Sequence, residues 1–310
     1  MLSRRCIRVK IMQLLYALNR DEILKSKDLK KTYKEWVDMS YELFLFNIYV
    51  ITEICKLSEP DAEKRKKKHI PKDIDKAFSA KLFQNETIQS IVTDKKLLKK
   101  FDKFQFENRV NPEYLSKIYD EFSKSEAYEN FILSESSKED YVEILLELYR
   151  MCRGNEFFNE MLEDSYFNWT DDKSLVVGAL KKYIKAQPQE NGFFESFFPD
   201  DETTKEFGEM LLKETCKQDS SLQEEISPVI KNWDQERVAV LDMILLKMAV
   251  TEMIQCKTIP EKVTINEYVE ISKKYSTPKS KEFINGVLDK MYKDLEDAGK
   301  ISKEGRGLTN

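Results

Sequence analysis

A chain of 310 residues with a net charge of −5 is long enough for one large or two modest domains, and it is no basic coat for nucleic acid. Any RNA or DNA contact needs a local cationic patch. Eight glycines, eight prolines and 35% charged residues leave few strand-bounding turns and favour helix, so the chain reads as all-α.

Five cysteines, never in a CxxC pair, argue against a disulfide framework and a thiolate zinc site, and for a reducing compartment. The N-terminus lacks the apolar run of a signal peptide. The apolar runs at 43–51 and 238–250 are too short or too interrupted by charge to span a bilayer. A soluble, cytoplasmic protein without a membrane partner is expected.

Residues 3–18, SRRCIRVKIMQLLYAL, read as a helix with Ser3 as N-cap and Ile7, Ile11, Leu14, Leu15 and Leu18 in one apolar arc. Arg4, Arg5, Arg8 and Lys10 crowd its start. Cations are disfavoured at a helix N-terminus, so their placement points to an anion rather than to helix stability. Residues 25–34 read as a lysine-rich connector, and 36–57 as a buried apolar helix. The run KRKKKH at 64–69 reads as a solvated loop, with a phosphate contact as the alternative.

From 73 to 187 short amphipathic helices alternate with polar loops, among them 141–151, 157–167 and 174–186, with Ser136 or Ser137 as a cap. Pro188, Asn191-Gly192 and Pro199-Asp200 break the pattern at 187–201, the best candidate boundary. Helices follow at 203–217 and 235–255, the latter with Val238, Leu241, Leu245 and Met248 facing the core. Ile259-Pro260 closes that helix. A helix through 267–275 leads to Ser276-Thr277-Pro278, a helix start with Thr277 at the N-cap and Pro278 at the first turn. The last helix carries Ile284, Val287, Leu288 and Met291 on one face. Gly286 in its middle costs about 1 kcal/mol against Ala, which predicts close helix packing. Phe283 flanks the apolar stripe beside Lys279 and Lys281, and the residues alone leave two readings open, core or a platform for a stacked base.

Catalytic chemistry is missing. His69, the only histidine, sits in the basic run without a triad partner nearby in sequence. Neither GxGxxG nor GxxxxGK[ST] occurs, and the acidic residues lie on ordinary Glu/Lys helix faces. A binding protein is expected, not an enzyme, with no cofactor and no metal.

The segment 233–290, WDQERVAVLDMILLKMAVTEMIQCKTIPEKVTINEYVEISKKYSTPKSKEFINGVLDK, resembles the C-terminal half of the NusB family of bacterial transcription antitermination factors. The N-terminal helix is similar to the family's arginine-rich first helix: Arg4, Arg5 and Arg8 match, Cys6 replaces an arginine, and Gln13, Leu15 and Tyr16 keep the later pattern. The resemblance covers 3–18 and roughly 200–292. The chain exceeds the family's usual length, and the excess, between the first helix and residue 200, reads as a helical enlargement of the N-terminal half.

The resemblance implies a NusB-like fold of two helical bundles, here 1–200 and 201–310. It implies binding of boxA RNA of ribosomal RNA leader transcripts, with ribosomal protein NusE, in an antitermination complex on RNA polymerase. The family's RNA surface, carried over by position, is Arg4, Arg5, Arg8, Lys279, Ser280, Lys281 and Phe283, and it favours RNA contact for Phe283. Lys279 stands where the family is often acidic. Single-stranded RNA is recognised by bases stacked on aromatics with cations on the phosphates, which agrees with that set. The alternative is a helical interaction scaffold without sequence-specific RNA binding. The RNA methyltransferases that carry a NusB-like domain are set aside, since no catalytic domain is expected after residue 310.

Overall fold

The computed structural model describes residues 1–21, 25, 27–232 and 239–304. Among the described residues there is no strand, in agreement with the all-α expectation. The helices begin with α1 (Arg4–Arg20), α2 (Leu29–Lys56), α3 (Ser58–Lys66), α4 (Asp73–Ala77), α5 (Lys81–Gln84) and α6 (Glu86–Val92). Next come α7 (Lys95–Phe104), α8 (Pro112–Phe122), α9 (Glu126–Leu133), α10 (Lys138–Gly154), α11 (Glu156–Ser165) and α12 (Trp169–Ala186). The C-terminal set is α13 (Met210–Lys217), α14 (Asp219–Ile226), α15 (Val240–Gln255), α16 (Glu261–Tyr275) and α17 (Ser280–Asp297). A π-helical segment, Glu202–Glu209, leads into α13.

Two compact units form, one of Asp38–Phe198 with Met1, the other of Leu2–Val37 and Pro199–Asn310. The break at Phe198 and Pro199 falls inside the proline-marked stretch 187–201. Unlike the expected 1–200 and 201–310, the second unit takes in Leu2–Val37 together with the C-terminal helices. The reason is the apolar arc of α1, whose Ile7, Ile11, Leu14 and Leu15 are buried.

In the unit of Asp38–Phe198, α2 contributes Leu43, Phe44, Phe46, Ile48, Val50, Ile51 and Ile54 to one core. Aromatic rings fill much of the rest. Phe106, for example, meets Phe46, Phe101 and Phe104. Ser137 caps α10 in a capping box with Asp140. The basic run is not the free loop expected from sequence. Its first part ends α3, where cations favour the helix C-terminus. Arg65 pairs with Asp61 at 3.0 Å and Asp75 at 3.2 Å, and Lys68 with Asp75 at 2.7 Å.

In the second unit α15 is buried along most of its length, and the stripe Ile284, Val287, Leu288 and Met291 of α17 is interior. Four local readings shift. Helix α2 starts at Leu29 rather than 36. Helix α15 is described from Val240, and residues 235–238, Val238 among them, lie outside the described residues. Helix α17 starts at Ser280 with Lys279 at the N-cap, because the Ser280 N–H first closes a turn onto the Thr277 carbonyl at 2.9 Å. Gly286 is exposed, so it does not mark close packing.

The glycine that does is Gly208 in the π-helical segment. A Cβ there would lie 1.9 Å from Tyr33 Oη and 2.9 Å from Ile7 Cγ2. Tyr33 is itself held, donating from Oη to the Thr204 carbonyl at 2.9 Å. Gly208→Ala is expected to destabilise the protein by about 1–3 kcal/mol through overpacking. Gly178→Ala, in the middle of α12 with open space around its Cα, is expected to stabilise it by up to ~1 kcal/mol. Urea unfolding of the two variants checks both signs.

Candidate nucleic-acid interface

Helix α1 starts as read: the Ser3 hydroxyl accepts from the Cys6 N–H at 3.3 Å. The arginines beyond it separate by depth. Arg5 is 54% exposed and grips Glu267 of α16 with two hydrogen bonds, 2.8 and 2.6 Å. Arg4 pairs with Glu202 at 2.8 Å, its guanidinium 5.6 Å from the Phe207 ring centroid. Arg8 is only 3% exposed. Lys10 is buried as well.

Arg8 lies in a closed polar network. Its Nε and Nη2 donate to Glu252 of α15 at 2.7 and 2.6 Å, and Nη1 reaches Glu267 at 3.4 Å. Glu252, fully buried, also accepts from Thr264 Oγ1 at 2.8 Å and Tyr268 Oη at 3.1 Å. The Arg8 guanidinium carbon is 5.1 Å from the Phe207 centroid and 5.8 Å from that of Tyr268. Burial opposes the charge on Arg8, but the Glu252 hydrogen bonds and charge outweigh it and hold the pKa above its ordinary value. The Arg5–Glu267 hydrogen bonds likewise raise the pKa of Arg5 and lower that of Glu267.

At the start of α17 another carboxylate of α15 organises the turn. Asp242, buried, accepts from Ser276 Oγ at 2.6 Å and from Ser280 Oγ at 2.7 Å. Ser280 is therefore interior, and Phe283, 8% exposed, packs into the core. Lys279 and Lys281 remain on the surface. Lys281 pairs with its neighbour Glu282 at 3.1 Å, and Lys279 makes no ion pair among the described residues. Of the seven positions named from sequence, Arg4, Arg5, Lys279 and Lys281 face solvent at least in part, while Arg8, Ser280 and Phe283 are buried and hold the frame.

Between these groups lies a groove that sequence reasoning did not single out. Met12, Gln13, Tyr16 and Arg20 of α1 line one side, and Tyr275, Ser276 and Thr277 the other. Tyr16 is 40% exposed, with the Arg20 guanidinium 5.6 Å from its ring centroid. Lys274 Nζ sits 4.8 Å from the Tyr275 centroid. Positions 5, 16 and 20 return to one side of an α-helix at 3.6 residues per turn, so Arg5, Tyr16 and Arg20 form a strip along α1. The signal was present in the sequence, since Tyr16 lies outside the apolar arc of α1. Aromatic faces beside cations can stack bases and hold phosphates. Among the described residues, no cluster of His, Cys, Asp or Glu is placed to hold a metal ion.

Residues 167–293 match the model of the NusB family. A transcription antitermination protein NusB from Salinibacter ruber is 43% identical over 109 residues, 35% of this chain and 68% of the relative. A protein of the same name from Chloroherpeton thalassium is 36% identical over 142 residues, 44% of this chain and 67% of the relative. Another, from Methylacidiphilum infernorum, is 43% identical over 101 residues, 33% of this chain and 71% of the relative. No solved structure gives a significant match.

Glu252→Ala leaves the buried Arg8 charge without its main partner and is expected to destabilise the chain by about 3–5 kcal/mol, read by urea unfolding. Glu267 makes stability depend on pH. Its folded pKa lies below the ordinary 4.5, so its contribution is complete above about pH 4.5 and is lost as pH falls through the lowered value. Unfolding midpoints of Glu267→Gln across that acid range should fall less steeply than those of the unaltered chain.

Proposed function

The chain belongs to the NusB family, and on that premise we propose that it is a transcription antitermination factor that binds boxA RNA of ribosomal RNA leader transcripts together with the ribosomal protein NusE. Its proposed setting is the cytoplasm, in an antitermination complex on RNA polymerase. Among the described residues no helix is long and apolar enough to cross a membrane.

The observation that carries the reading is the aromatic and cationic groove of the second unit. Tyr16 offers a ring face with Arg20 against it, and Tyr275, with Lys274 near its ring, lines the opposite wall. Arg5 and Arg4 extend the cations along α1, and Lys279 and Lys281 extend them at the start of α17. Arg8, Ser280 and Phe283 act from below, by fixing α1 and the α16–α17 turn. A base stacked on Tyr16 would contribute roughly 1–3 kcal/mol, with the cations adding phosphate contacts.

A second reading, a protein-interaction scaffold without sequence-specific RNA binding, draws on the internal pairing of Arg4 and Arg5 with carboxylates. The same pairing supplies the test. Glu267→Gln releases Arg5 and is expected to tighten boxA RNA binding, measured by fluorescence anisotropy. Arg5→Glu and Tyr16→Ala are expected to weaken it, the latter by roughly 5- to 150-fold, the equivalent of one stacked base. Unchanged affinity in all three variants would favour the scaffold. Phe283→Ala should act on stability, by about 3–5 kcal/mol for a lost core aromatic.

A further inference from the structure

The unit of Asp38–Phe198 lies mostly outside the NusB-matched segment, and its least explained feature is α7, KKLLKKFDKF. At 3.6 residues per turn, Lys95, Lys99, Lys103, Lys96 and Lys100 fall within one arc of about 140°. The opposite side buries Leu97 and Phe101. The helix is thus apolar on one side and almost uniformly cationic on the other.

Nothing local accounts for that arrangement. Lys95 and Lys96 occupy the first turn, which has no acidic residue and where the helix dipole disfavours cations. Lysines four apart, 95 with 99, 96 with 100 and 99 with 103, repel one another and weaken the helix. The carboxylate at the N-cap, Asp94, is occupied: it accepts from the Lys96 and Leu97 N–H groups at 2.9 and 3.1 Å and from the Gly192 N–H at 2.7 Å. Lys96 is spoken for, at 3.3 Å from Glu195. Lys95, Lys99 and Lys103 are exposed and make no ion pair among the described residues; Lys103 has only a ring contact, 5.7 Å from the Phe104 centroid. Asp102 borders the arc and pairs with none of them within the same limits.

The contrast with the other basic stretches is instructive. Arg65 and Lys68 close on Asp61 and Asp75. Lys185 lies in the last turn of α12, where the helix dipole favours a cation, with Lys181 and Lys182 just before it. Among the described residues, α7 is where several lysines gather from the first turn onward, against the helix dipole, and three of them are left open. Lys95, Lys99 and Lys103 rise by roughly 6 Å at each step along the axis, so three ammonium groups form a row on a rigid element. A row of unpaired ammonium groups matches the repeated charge of a phosphodiester chain. It holds that backbone without reading bases, since phosphate contacts carry no sequence information.

We propose that the lysine face of α7 is a second, sequence-independent binding site for the phosphate backbone of single-stranded RNA. It does not depend on the boxA groove of the second unit. Its contribution is electrostatic and therefore falls with salt, by about 0.7 in log–log slope per single-strand phosphate neutralised.

The test uses the full chain and a fluorescein-labelled single-stranded RNA of mixed sequence lacking boxA, titrated from about 50 to about 200 mM salt. The variant K95Q/K99Q/K103Q is expected to have a slope shallower by about 2, so that over this range the unaltered chain loses roughly 20-fold more affinity than the variant. Its unfolding midpoint should stay or rise, because like charges are removed from an exposed helix. K95R/K99R/K103R should keep the original slope, and so should K181Q/K182Q/K185Q, an equal charge change on α12. An original slope in K95Q/K99Q/K103Q would overturn the proposal. An equal loss in the α12 variant would overturn it too, by showing a response to net charge alone. So would a variant that loses binding to phosphatidylserine vesicles while keeping its RNA slope. Repeating the comparison in an Arg5→Glu background separates this site from the groove, since the slope difference should persist there.

Discussion

The second unit depends on one buried ion pair. Arg8 and Glu252 are almost wholly removed from water, a costly arrangement unless every donor and acceptor is met. Here it is met: two guanidinium hydrogen bonds, two hydroxyls from α16 and two ring faces surround the charges. The pair ties α1, which starts the chain, to α15 and α16, which lie more than 230 residues later. It also sets the rotation of α1. With Arg8 turned inward, Arg5, Tyr16 and Arg20 turn outward.

Helix α15 uses a second carboxylate in the same way. Asp242, ten residues before Glu252 and so roughly 15 Å along the axis, holds Ser276 and Ser280 and so fixes where α17 begins. That contact turns Phe283 into the core and leaves Lys279 and Lys281 outside. The two halves of the proposed RNA surface are thus aligned by a single interior helix that exposes little of itself. Its two acidic residues, unremarkable in a sequence so rich in carboxylates, are the pieces that order the site.

The helices were legible because apolar periodicity reports burial directly, as in the stripe of α17 and the arc of α1. Ser3 and Ser137 were readable as caps because capping is a local hydrogen bond. The pairing of distant segments was not. Which of Arg4, Arg5 and Arg8 goes inside is decided by a carboxylate 244 positions away from Arg8, and no spacing within α1 encodes it. Phe283 sat on the edge of an apolar stripe, where only Asp242 settles its depth. The basic run at 64–69 looked free because its partner Asp75 lies beyond a proline. The attachment of Leu2–Val37 to the C-terminal helices was hidden because those helices come at the far end of the chain. Tyr16 is the instructive omission, because its position outside the apolar arc was visible and its meaning came only with Tyr275 across the groove.

The proposed RNA path runs along α1 and the α16–α17 turn of the second unit. It is tested most directly by ultraviolet crosslinking of the full chain to a boxA RNA carrying 4-thiouridine, followed by mass-spectrometric mapping of the crosslinked peptides. The expected result is crosslinks within residues 4–20 and 273–283, with Tyr16 and Tyr275 among the modified residues. Crosslinks confined to other segments, with neither of these peptides modified, would contradict it.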